Sequence, residues 1–342
     1  MKKNNANNYK ISTIIPVYNQ EKYIEKALKS IVNQTFQPYE ILIINDASTD
    51  KTQDKCKEFK ILYKNIRIIN LTQNMGVSNA RNIGIDNANG DYIHFIDSDD
   101  TIEKDMYENI IVEIGNKEKD LIITGTKYNE NNKINIYIPQ KGNINTLNEM
   151  KSFIKENCIS GRRDIFNVVW NKLYKREFLL ENDIRFDKDI TFGEDFLFNL
   201  KCMRKTNSIY IINKAYYNYM RRFNEETLKM KFLRNKIHLR RLFYKKWIEF
   251  YKSYDIYEDV SKEMQIYEGF KIYMAIISVA NKNCPLKYKE KIEYINEFIN
   301  FENSDCLFKY MENNEELNIE LEYLKNGEIE RFYDIINKKL NM

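Results

Sequence analysis

The stretch Tyr92-Ile93-His94-Phe95-Ile96-Asp97-Ser98-Asp99-Asp100 places three carboxylates directly after a continuous apolar run. A run such as Tyr92 to Ile96 is typical of a buried strand. Asp97 then lies at the end of that strand, and Asp99 lies just beyond it. Because ligands of open α/β sheets bind at the carboxyl ends of the strands, this stretch predicts a ligand site there.

The close spacing of these carboxylates requires a compensating charge. Carboxylates packed this closely repel each other unless a cation or an orienting partner is present. A hard divalent ion that carries phosphate oxygens fits, because Mg²⁺ typically takes one or two protein carboxylates together with substrate phosphates. The alternative is an Asp-rich turn that caps a helix, with Asp100 or Thr101 as the N-cap. These residues alone do not decide between the two.

Strand-like and helix-like segments alternate through the first hundred residues. Apolar runs predict strands at 11–17, 41–44, 66–71 and 92–96, and helical spacing predicts helices at 20–34, 51–63 and 77–88. Such alternation predicts an α/β fold, with a mostly parallel sheet flanked by helices on both faces. Further strands are predicted at 121–126, 134–138 and 215–220, and further helices near 146–157 and 194–204.

Composition narrows the class of protein. The 342 residues suffice for about two domains, and the formal charge of +4 is too small for charge alone to imply nucleic-acid binding. The five cysteines lie far apart and form no CxxC pattern, which indicates a reducing compartment rather than a disulfide framework or a zinc site. Neither a secretory signal nor an apolar run long enough to span a bilayer is visible. We therefore expect a cytoplasmic location.

Two common nucleotide-binding motifs are absent from the sequence. No GxGxxG follows the first strand and no GxxxxGK[ST] occurs, which argues against a hydride-transfer enzyme and a P-loop NTPase. Acidic residues at the ends of strands two and four suit a different task. Asp46 can accept hydrogen bonds from a base or ribose, and Asp97 and Asp99 can hold a ribose hydroxyl and a metal-bound diphosphate.

Several motifs occur in order at the spacing of a known family. They are Ile15 to Asn19, Ser30 to Thr35, Asn45 to Asp50, Asn74 to Gly84 and Asp97 to Asp100. Together they resemble the family 2 glycosyltransferases, which have the GT-A fold. The resemblance is strong over residues 10–110 and continues more loosely through 170–174 and 193–195 to about residue 222. After strand two the family usually has Asp-Asp-Gly-Ser, and here Asn45 and Ala47 replace its first Asp and its Gly.

The resemblance implies an inverting transfer of a sugar from a nucleotide sugar, most often a UDP-sugar, to a hydroxyl of a glycan or lipid-linked acceptor. It implies Mn²⁺ or Mg²⁺ at Asp99, where the ion would offset the charge of the leaving diphosphate. Inversion needs one in-line attack by a hydroxyl that loses its proton, and therefore a carboxylate base. In the family this base is the Asp of a Glu-Asp pair, which corresponds to Asp195 after Glu194. The alternative is that this pair only occupies the first turn of helix 194–204, where the helix dipole favours acids.

The resemblance also implies which residues line the nucleotide site. We assign to it Pro16, Tyr18, Asn19, Asp46, Arg81, Asp97 and Ser98. The residues assigned to the diphosphate or the acceptor are Lys172, Glu194, Arg221 and Arg222. For Arg81 the alternative is a solvated or structural arginine, and for each of the other three basic residues it is a surface charge. His94 lies inside the fourth strand and is predicted to be a core histidine rather than a ligand.

Two other classes of function stay open at this point. A metal-dependent sugar nucleotidyltransferase would require a Gly-rich basic loop after strand one, which Tyr18-Asn19-Gln20-Glu21 does not supply. A non-catalytic carbohydrate-binding or scaffold protein with a decayed site is the other class. The joint presence of the acidic residues after strands two and four and of the Glu-Asp pair argues against decay.

We predict three parts of the chain: a disordered N-terminus at 1–9, a GT-A domain at 10–225 and a helical C-terminal region at 226–342. Within the GT-A domain, 10–110 is the nucleotide-binding half and 111–225 the acceptor half. Segment 229–246 has eight Lys or Arg and no acid, whereas 301–342 has ten Asp or Glu against five Lys or Arg. This segregation predicts that the two segments pair, that the C-terminal helices form a homo-oligomer, or that a basic face lies on an anionic membrane, at the inner face of the cell membrane. The apolar residues predicted for that membrane face are Phe232, Leu239, Phe243 and Trp247.

Overall fold

The structure, a computed structural model, describes residues 9–130, 133–159, 164–206, 208–221, 232–300 and 302–341. The chain divides into two compact units. The first comprises Met1–Met150 with Arg163–Phe223, and the second comprises Lys151–Arg162 with Asn224–Met342. The predicted boundary at residues 225 and 226 lies outside the described residues, so the predicted domain limits stay a prediction.

The first unit begins with strands and helices in strict alternation. They are β1 (Ile11–Val17), α1 (Ile24–Val32), β2 (Glu40–Asn45), α2 (Thr52–Leu62), β3 (Ile66–Asn70), α3 (Val77–Asn87) and β4 (Tyr92–Phe95). The four strands are parallel and lie in the order β3-β2-β1-β4. Since parallel neighbours require helical crossovers, the alternation predicted from sequence leads directly to this half of the sheet. The carboxyl ends of its strands share one edge.

The second half of this sheet is mixed. The elements that follow β4 in the chain are β5 (Thr101–Ile102), α4 (Met106–Ile114), β6 (Leu121–Glu130), β7 (Lys133–Tyr137), β8 (Gly142–Ile144), α5 (Leu147–Ile159), α6 (Asp164–Asn167), β9 (Lys172–Lys175), α7 (Arg176–Glu181), α8 (Glu194–Lys205) and β10 (Ile209–Arg221). Of α5, the residues from Lys151 onward belong to the second unit. The order continues β4-β9-β6-β10-β5, and β9 is antiparallel to both of its neighbours. The predicted α/β class is confirmed, and the predicted parallel pairing holds for the first half and for β6 with β10.

The alternative of a helix cap at Asp100 or Thr101 is wrong. Thr101 and Ile102 form β5, which pairs with β10, and the next helix begins only at Met106. Asp100 is buried, where its carboxylate accepts hydrogen bonds from the Tyr217 hydroxyl (2.9 Å) and from the Met220 N–H (2.8 Å). These long-range partners on β10, invisible in the local sequence, turn the aspartate inward.

The predicted disorder at 1–9 needs a correction at its last residue. Residues 1–8 of the segment predicted to be disordered lie outside the described residues. Tyr9 is instead buried, with its ring edge-on to that of Tyr92 at 5.5 Å between ring centroids. The prediction fails at Tyr9 because its aromatic ring packs against the first residue of β4.

The second unit is helical, as predicted. Its helices after residue 232 are α9 (Lys236–Ser253), α10 (Tyr257–Ile277), α11 (Tyr288–Ile299), α12 (Ser304–Glu312), α13 (Asn318–Lys325) and α14 (Ile329–Asn341). Glycine at position 269 lets α10 approach α12 closely, since a Cβ there would collide with the carbonyl oxygen of Cys306. Among the described helices, none is long and apolar enough to cross a membrane.

The predicted membrane face on α9 requires a correction. Leu239, Phe243 and Trp247 are buried within the helical unit, so their apolar surface is not available to a bilayer. Two cations of α9 pair outside segment 301–342: Arg240 forms an ion pair with the buried Glu268 of α10, and Lys246 pairs with Glu249 of its own helix. Residues 229–231 lie outside the described part. A purely electrostatic membrane contact and an oligomer through these helices stay predictions.

Candidate active site

The candidate site is organised around the guanidinium of Arg81 on α3. Its Nη2 donates to Asp97 Oδ1 (3.0 Å) at the end of β4. Its Nη1 donates to Asp195 Oδ1 (2.6 Å) and to Glu194 Oε1 (3.2 Å), both in the first turn of α8. The Arg81 side chain is only 4% exposed. One buried cation therefore joins three carboxylates from two distant parts of the chain.

Helix α3 also holds the loop that leads into α8. The Asn82 side chain exchanges two hydrogen bonds with the backbone of Phe186 (2.9 and 2.8 Å), and the Ser78 hydroxyl donates to the Ile190 carbonyl (3.3 Å). Gly193 precedes α8 with a φ of +82°, a left-handed conformation that costs glycine little. These contacts place the first turn of α8 beside the end of β4.

The charges of this cluster do not balance. Burial raises the pKa of Asp195 to about 7; the Arg81 guanidinium opposes this rise, and the Glu194 and Asp97 carboxylates add to it. Burial also raises the pKa of Asp100 well above its ordinary range, with the charges of Asp99 and Asp97 acting in the same direction. This edge of the sheet therefore has more carboxylates than its guanidinium can neutralise.

This excess of carboxylates fits a divalent cation. Asp99 and Asp97 follow β4 at the shared strand edge, and their carboxylates match in type and number the one or two that Mg²⁺ usually takes from a protein when phosphates complete its shell. Within the part of the chain that the structure describes, no group of three or more His, Cys, Asp and Glu side chains could hold a metal by itself.

The loops after β1 and β2 are joined by side chains that we assigned to the nucleotide. Asn19, at a φ of +50°, accepts the Thr49 N–H on its Oδ1 (2.8 Å), and its own N–H donates to the Ser48 hydroxyl (3.1 Å). Asp46 is buried, and its two oxygens accept the N–H groups of Met75 (2.7 Å) and Gly76 (2.8 Å). Both residues therefore shape this edge of the sheet, a role that sequence reasoning did not predict.

Ala47 shows why the family pattern has glycine at this position. Its φ is +58°, in the left-handed region where a Cβ costs about 1–2 kcal/mol. Asn45, in place of the usual Asp, donates from Nδ2 to Asn70 Oδ1 (2.9 Å) and accepts the Ser48 N–H on Oδ1 (3.2 Å). The side chain of Asn45 therefore holds this loop to β3 and to its own backbone.

The remaining predicted residues fall in several environments. Pro16 is buried within β1, Tyr18 is exposed just after it, and Ser98 is buried between the two aspartates. Arg221 is exposed and pairs with Glu130 on the neighbouring strand (2.9 Å), and Arg222 lies outside the described residues.

Lys172 and His94 are both fully buried. The alternative of a surface charge is wrong for Lys172, whose Nζ donates to the Val168 carbonyl and to Asn171 Oδ1 (2.7 Å each). His94 is a core histidine, as predicted: its ring nitrogens lie 2.9 Å from the Tyr107 hydroxyl and 2.8 Å from the Trp170 carbonyl.

Sequence reasoning missed Tyr217 as a structural partner of the aspartates. Its hydroxyl donates to Asp100 and accepts the Asp97 N–H (3.2 Å), and its ring stacks on Trp170 at 4.2 Å between centroids. The strand that carries Tyr217 was visible in the sequence, but its neighbours were not. Tyr217 therefore binds the turn that follows β4 at both ends, and Trp170 packs against the ring of Tyr217.

Comparison with known proteins identifies the family. The profile described as glycosyl transferase family 2 matches residues 12–182, half of the chain. This chain belongs to glycosyl transferase family 2. The protein is therefore a glycosyltransferase, and the matched span includes β1 to β4 with Asp97 and Asp99.

Several bacterial relatives are named as glycosyltransferases. The chain is 28% identical to the uncharacterized glycosyltransferase EpsJ of Bacillus subtilis, over 83% of each protein. It is 36% identical to the glycosyltransferase GlyA of Streptococcus pneumoniae over 61% of this chain, but it spans only 30% of that protein. It is 30% identical to the poly(ribitol-phosphate) beta-N-acetylglucosaminyltransferase TarS of Staphylococcus aureus over 63% of this chain and 36% of TarS.

A solved structure supports the fold. The crystal structure of S. aureus TarS 1-349 in complex with UDP-GlcNAc superposes with a TM-score of 0.56 at 22% identity. The match covers 97% of this chain and 91% of that one. At this identity the likeness concerns the fold, which is the GT-A-like arrangement expected from the sequence.

The role of Arg81 in holding the site together predicts the outcome of its removal. Arg81→Gln leaves three carboxylates without their cation, and we expect a loss of about 3–5 kcal/mol in the free energy of unfolding. Urea denaturation followed by circular dichroism measures this loss. Arg185→Gln is the matched control, because Arg185 pairs with the exposed Asp86 and such pairs contribute about 1 kcal/mol or less. Equal losses in the two variants would contradict the central role of Arg81.

Proposed function

We propose that this glycosyltransferase transfers a sugar from a UDP-sugar to a hydroxyl of a glycan or lipid-linked acceptor, with inversion and with Asp195 as general base. The observation that carries the proposal is the placement of Asp195, held by Arg81 beside Asp97 at the carboxyl ends of the strands. Family membership favours this proposal over a nucleotidyltransferase or a non-catalytic protein.

The environment of Asp195 suits a general base. An acceptor hydroxyl must lose its proton as it attacks the sugar, and a base works best when its pKa lies near the working pH. A pKa of about 7 meets this condition, whereas an ordinary aspartate would be a much weaker base. The hydrogen bond from Arg81 Nη1 occupies Oδ1 and orients the carboxylate, so that Oδ2 is the atom we assign to the acceptor proton.

The donor side of the proposal uses the residues after β4. Asp97 would bind the ribose or the metal, and Asp99 would hold Mn²⁺ or Mg²⁺. When bound, the ion neutralises the charge that develops on the leaving diphosphate. The name of TarS supports an N-acetylhexosamine as the sugar, and a relative in Bacillus spizizenii named poly(ribitol-phosphate) beta-glucosyltransferase supports a hexose. The TarS complex with UDP-GlcNAc supports UDP as the nucleotide.

A screen of nucleotide sugars tests the proposal as a whole. The protein with Mn²⁺ is incubated with UDP-, GDP- and dTDP-sugars, and release of the free nucleotide is followed without an acceptor. We take slow hydrolysis of at least one UDP-sugar as the supporting result. Hydrolysis of none of them, together with no UDP binding by calorimetry, would contradict the proposed function.

Substitution of the base separates transfer from donor binding. Asp195→Asn keeps the shape of the side chain but cannot take a proton, so transfer to a matched acceptor should fall about 100-fold or more. The UDP-sugar Kd should stay within about threefold, since Asp195 contacts the acceptor in this proposal. Asp54→Asn on α2, an exposed aspartate, serves as the control. Normal turnover of Asp195→Asn, or a product with retained anomeric configuration, would contradict the mechanism.

The pH dependence of transfer follows from the same carboxylate. Because Asp195 acts only when deprotonated, the logarithm of kcat/KM should rise with a slope of one as the pH increases. It should level off near pH 7. The same group affects folding in the opposite sense: its raised pKa stabilises the folded protein below the ordinary aspartate value, and this contribution is lost as the pH rises from about 4 to about 7. Initial rates between pH 5 and 9 test the first statement, and a flat profile would contradict the assignment.

Asp99 is tested by metal-dependent binding rather than by activity. We expect Asp99→Asn to abolish the part of UDP affinity that depends on Mn²⁺, because one charged ligand of the ion is lost. The melting temperature should change little. Isothermal titration calorimetry with and without Mn²⁺ measures the effect, again with Asp54→Asn as the control. If Asp99→Asn binds UDP and Mn²⁺ as the wild type does, the metal assignment is wrong.

A further inference from the structure

Strand β7 leaves apolar side chains and a strand edge exposed. One edge pairs with β6, from Lys133 opposite Glu130 to Tyr137 opposite Thr126. In the described part of the chain no strand pairs with the other edge. Ile134, Ile136 and Ile138 are 59%, 57% and 46% exposed. Exposed apolar strand edges are sites where another strand adds to a sheet.

The isoleucines form one stripe on one face. Side chains alternate along a strand, so Ile134 and Ile136 of β7 point to the same side of the sheet, and Ile138, which directly follows β7, has the same spacing in the sequence. Residues 134–138 contain no charge, whereas Lys133 precedes them and Pro139 follows them. Charged residues and proline limit strand pairing. The stretch available for pairing is therefore five residues long and is bounded at both ends.

The backbone of the same isoleucines faces the unpaired edge. Glu130 and Lys133 close the β6–β7 hairpin with two residues between them, and such a closing pair exchanges both backbone hydrogen bonds. Bonded and non-bonded pairs then alternate, so Asn135 and Tyr137 are also bonded to β6. The N–H and C=O groups of Ile134, Ile136 and Ile138 consequently point away from β6.

We propose that this edge binds the same edge of a second copy of the chain, antiparallel, about a two-fold axis at Ile136. With that axis, Ile134 faces Ile138 of the second copy and Ile136 faces its own equivalent. Asn135 faces Tyr137 of the second copy on the opposite side of the sheet. The sequence of 134–138 is thus self-complementary, as a two-fold symmetric contact requires.

The chemistry of the contact favours a second copy over an unrelated strand. Every apolar side chain of the stripe meets another isoleucine, and opposite apolar pairs stabilise antiparallel strands. Lys133 would face Pro139 of the second copy, so no like charges meet. Since the contact is the same on both sides, it occupies the free β7 edge of each copy. No free β7 edge remains for a third copy, so association ends at a dimer.

Sedimentation velocity tests the dimer. We expect the full chain to change from monomer to dimer between about 2 and about 200 µM, because association depends on concentration. Ile136→Lys places two ammonium groups opposite each other at the axis and should keep the protein monomeric over this range. Ile61→Lys is the matched control: Ile61 is 82% exposed on α2, and this variant should dimerise as the wild type does.

Cysteine cross-linking tests the register. In a hydrogen-bonded pair the two Cα atoms are about 5.5 Å apart, within the range of a disulfide, so Ile136→Cys should form a covalent dimer on oxidation. In the proposed register the two copies of residue 134 are four residues apart along the strands, about 13 Å, so Ile134→Cys should not. Both variants are made with Cys284→Ser, because Cys284 is partly exposed whereas the four other cysteines are buried.

The outcomes separate the proposal from its competitors. A monomer at every concentration would overturn it. A dimer that persists in Ile136→Lys, or that cross-links as well through Ile134→Cys, would place the contact on another surface or in another register and would also overturn it. Pelleting of the wild type, but not of Ile136→Lys, with phosphatidylcholine vesicles in the absence of a dimer would assign the stripe to a lipid surface instead.

Discussion

The buried guanidinium of Arg81 is the constraint on which the rest of the site depends. A buried charge is costly unless it is paired and hydrogen-bonded. Arg81 satisfies both conditions with Asp97, Glu194 and Asp195, whose carboxylates would otherwise repel one another across the strand edge. The ion pairs hold α8 beside β4 because each charge is stable there only in the presence of the others.

This arrangement links the two substrates in the proposed reaction. Asp97 belongs to the donor side and Asp195 to the acceptor side, and both bind the same guanidinium. A change in charge at one carboxylate therefore alters the electrostatic potential at the other. The pKa of Asp195 reflects this, because the Asp97 carboxylate raises it and the Arg81 guanidinium lowers it. The excess of negative charge at this edge favours a divalent cation, and a diphosphate would enter bound to that cation, because a diphosphate alone would add to the repulsion between the carboxylates.

The loops at the strand ends are held by a second set of contacts, which use backbone groups rather than ion pairs. Asp46 binds two consecutive N–H groups of the loop before α3, and Asn19 crosses from the loop after β1 to the loop after β2. These contacts fix the positions from which a nucleotide would be recognised. Family motifs in this region therefore describe the loop geometry as much as direct contacts with a ligand, as the left-handed Ala47 in the usual glycine position illustrates.

The sequence by itself determined the elements of the parallel half-sheet and the family. Periodicity located β1, β2, β3 and β4 within about a residue, because local apolar patterns reflect burial on a sheet. The sequence also marked Asp97, Asp99 and the Glu-Asp pair as acidic residues at element ends. Only the tertiary structure decided that Arg81 joins Asp97 to the Glu-Asp pair, that Lys172 is buried and that Asp100 turns inward to Tyr217. These contacts join residues more than a hundred positions apart, which no local sequence pattern encodes. They also depend on burial, because a hydrogen bond or ion pair is stronger inside a protein than at its surface.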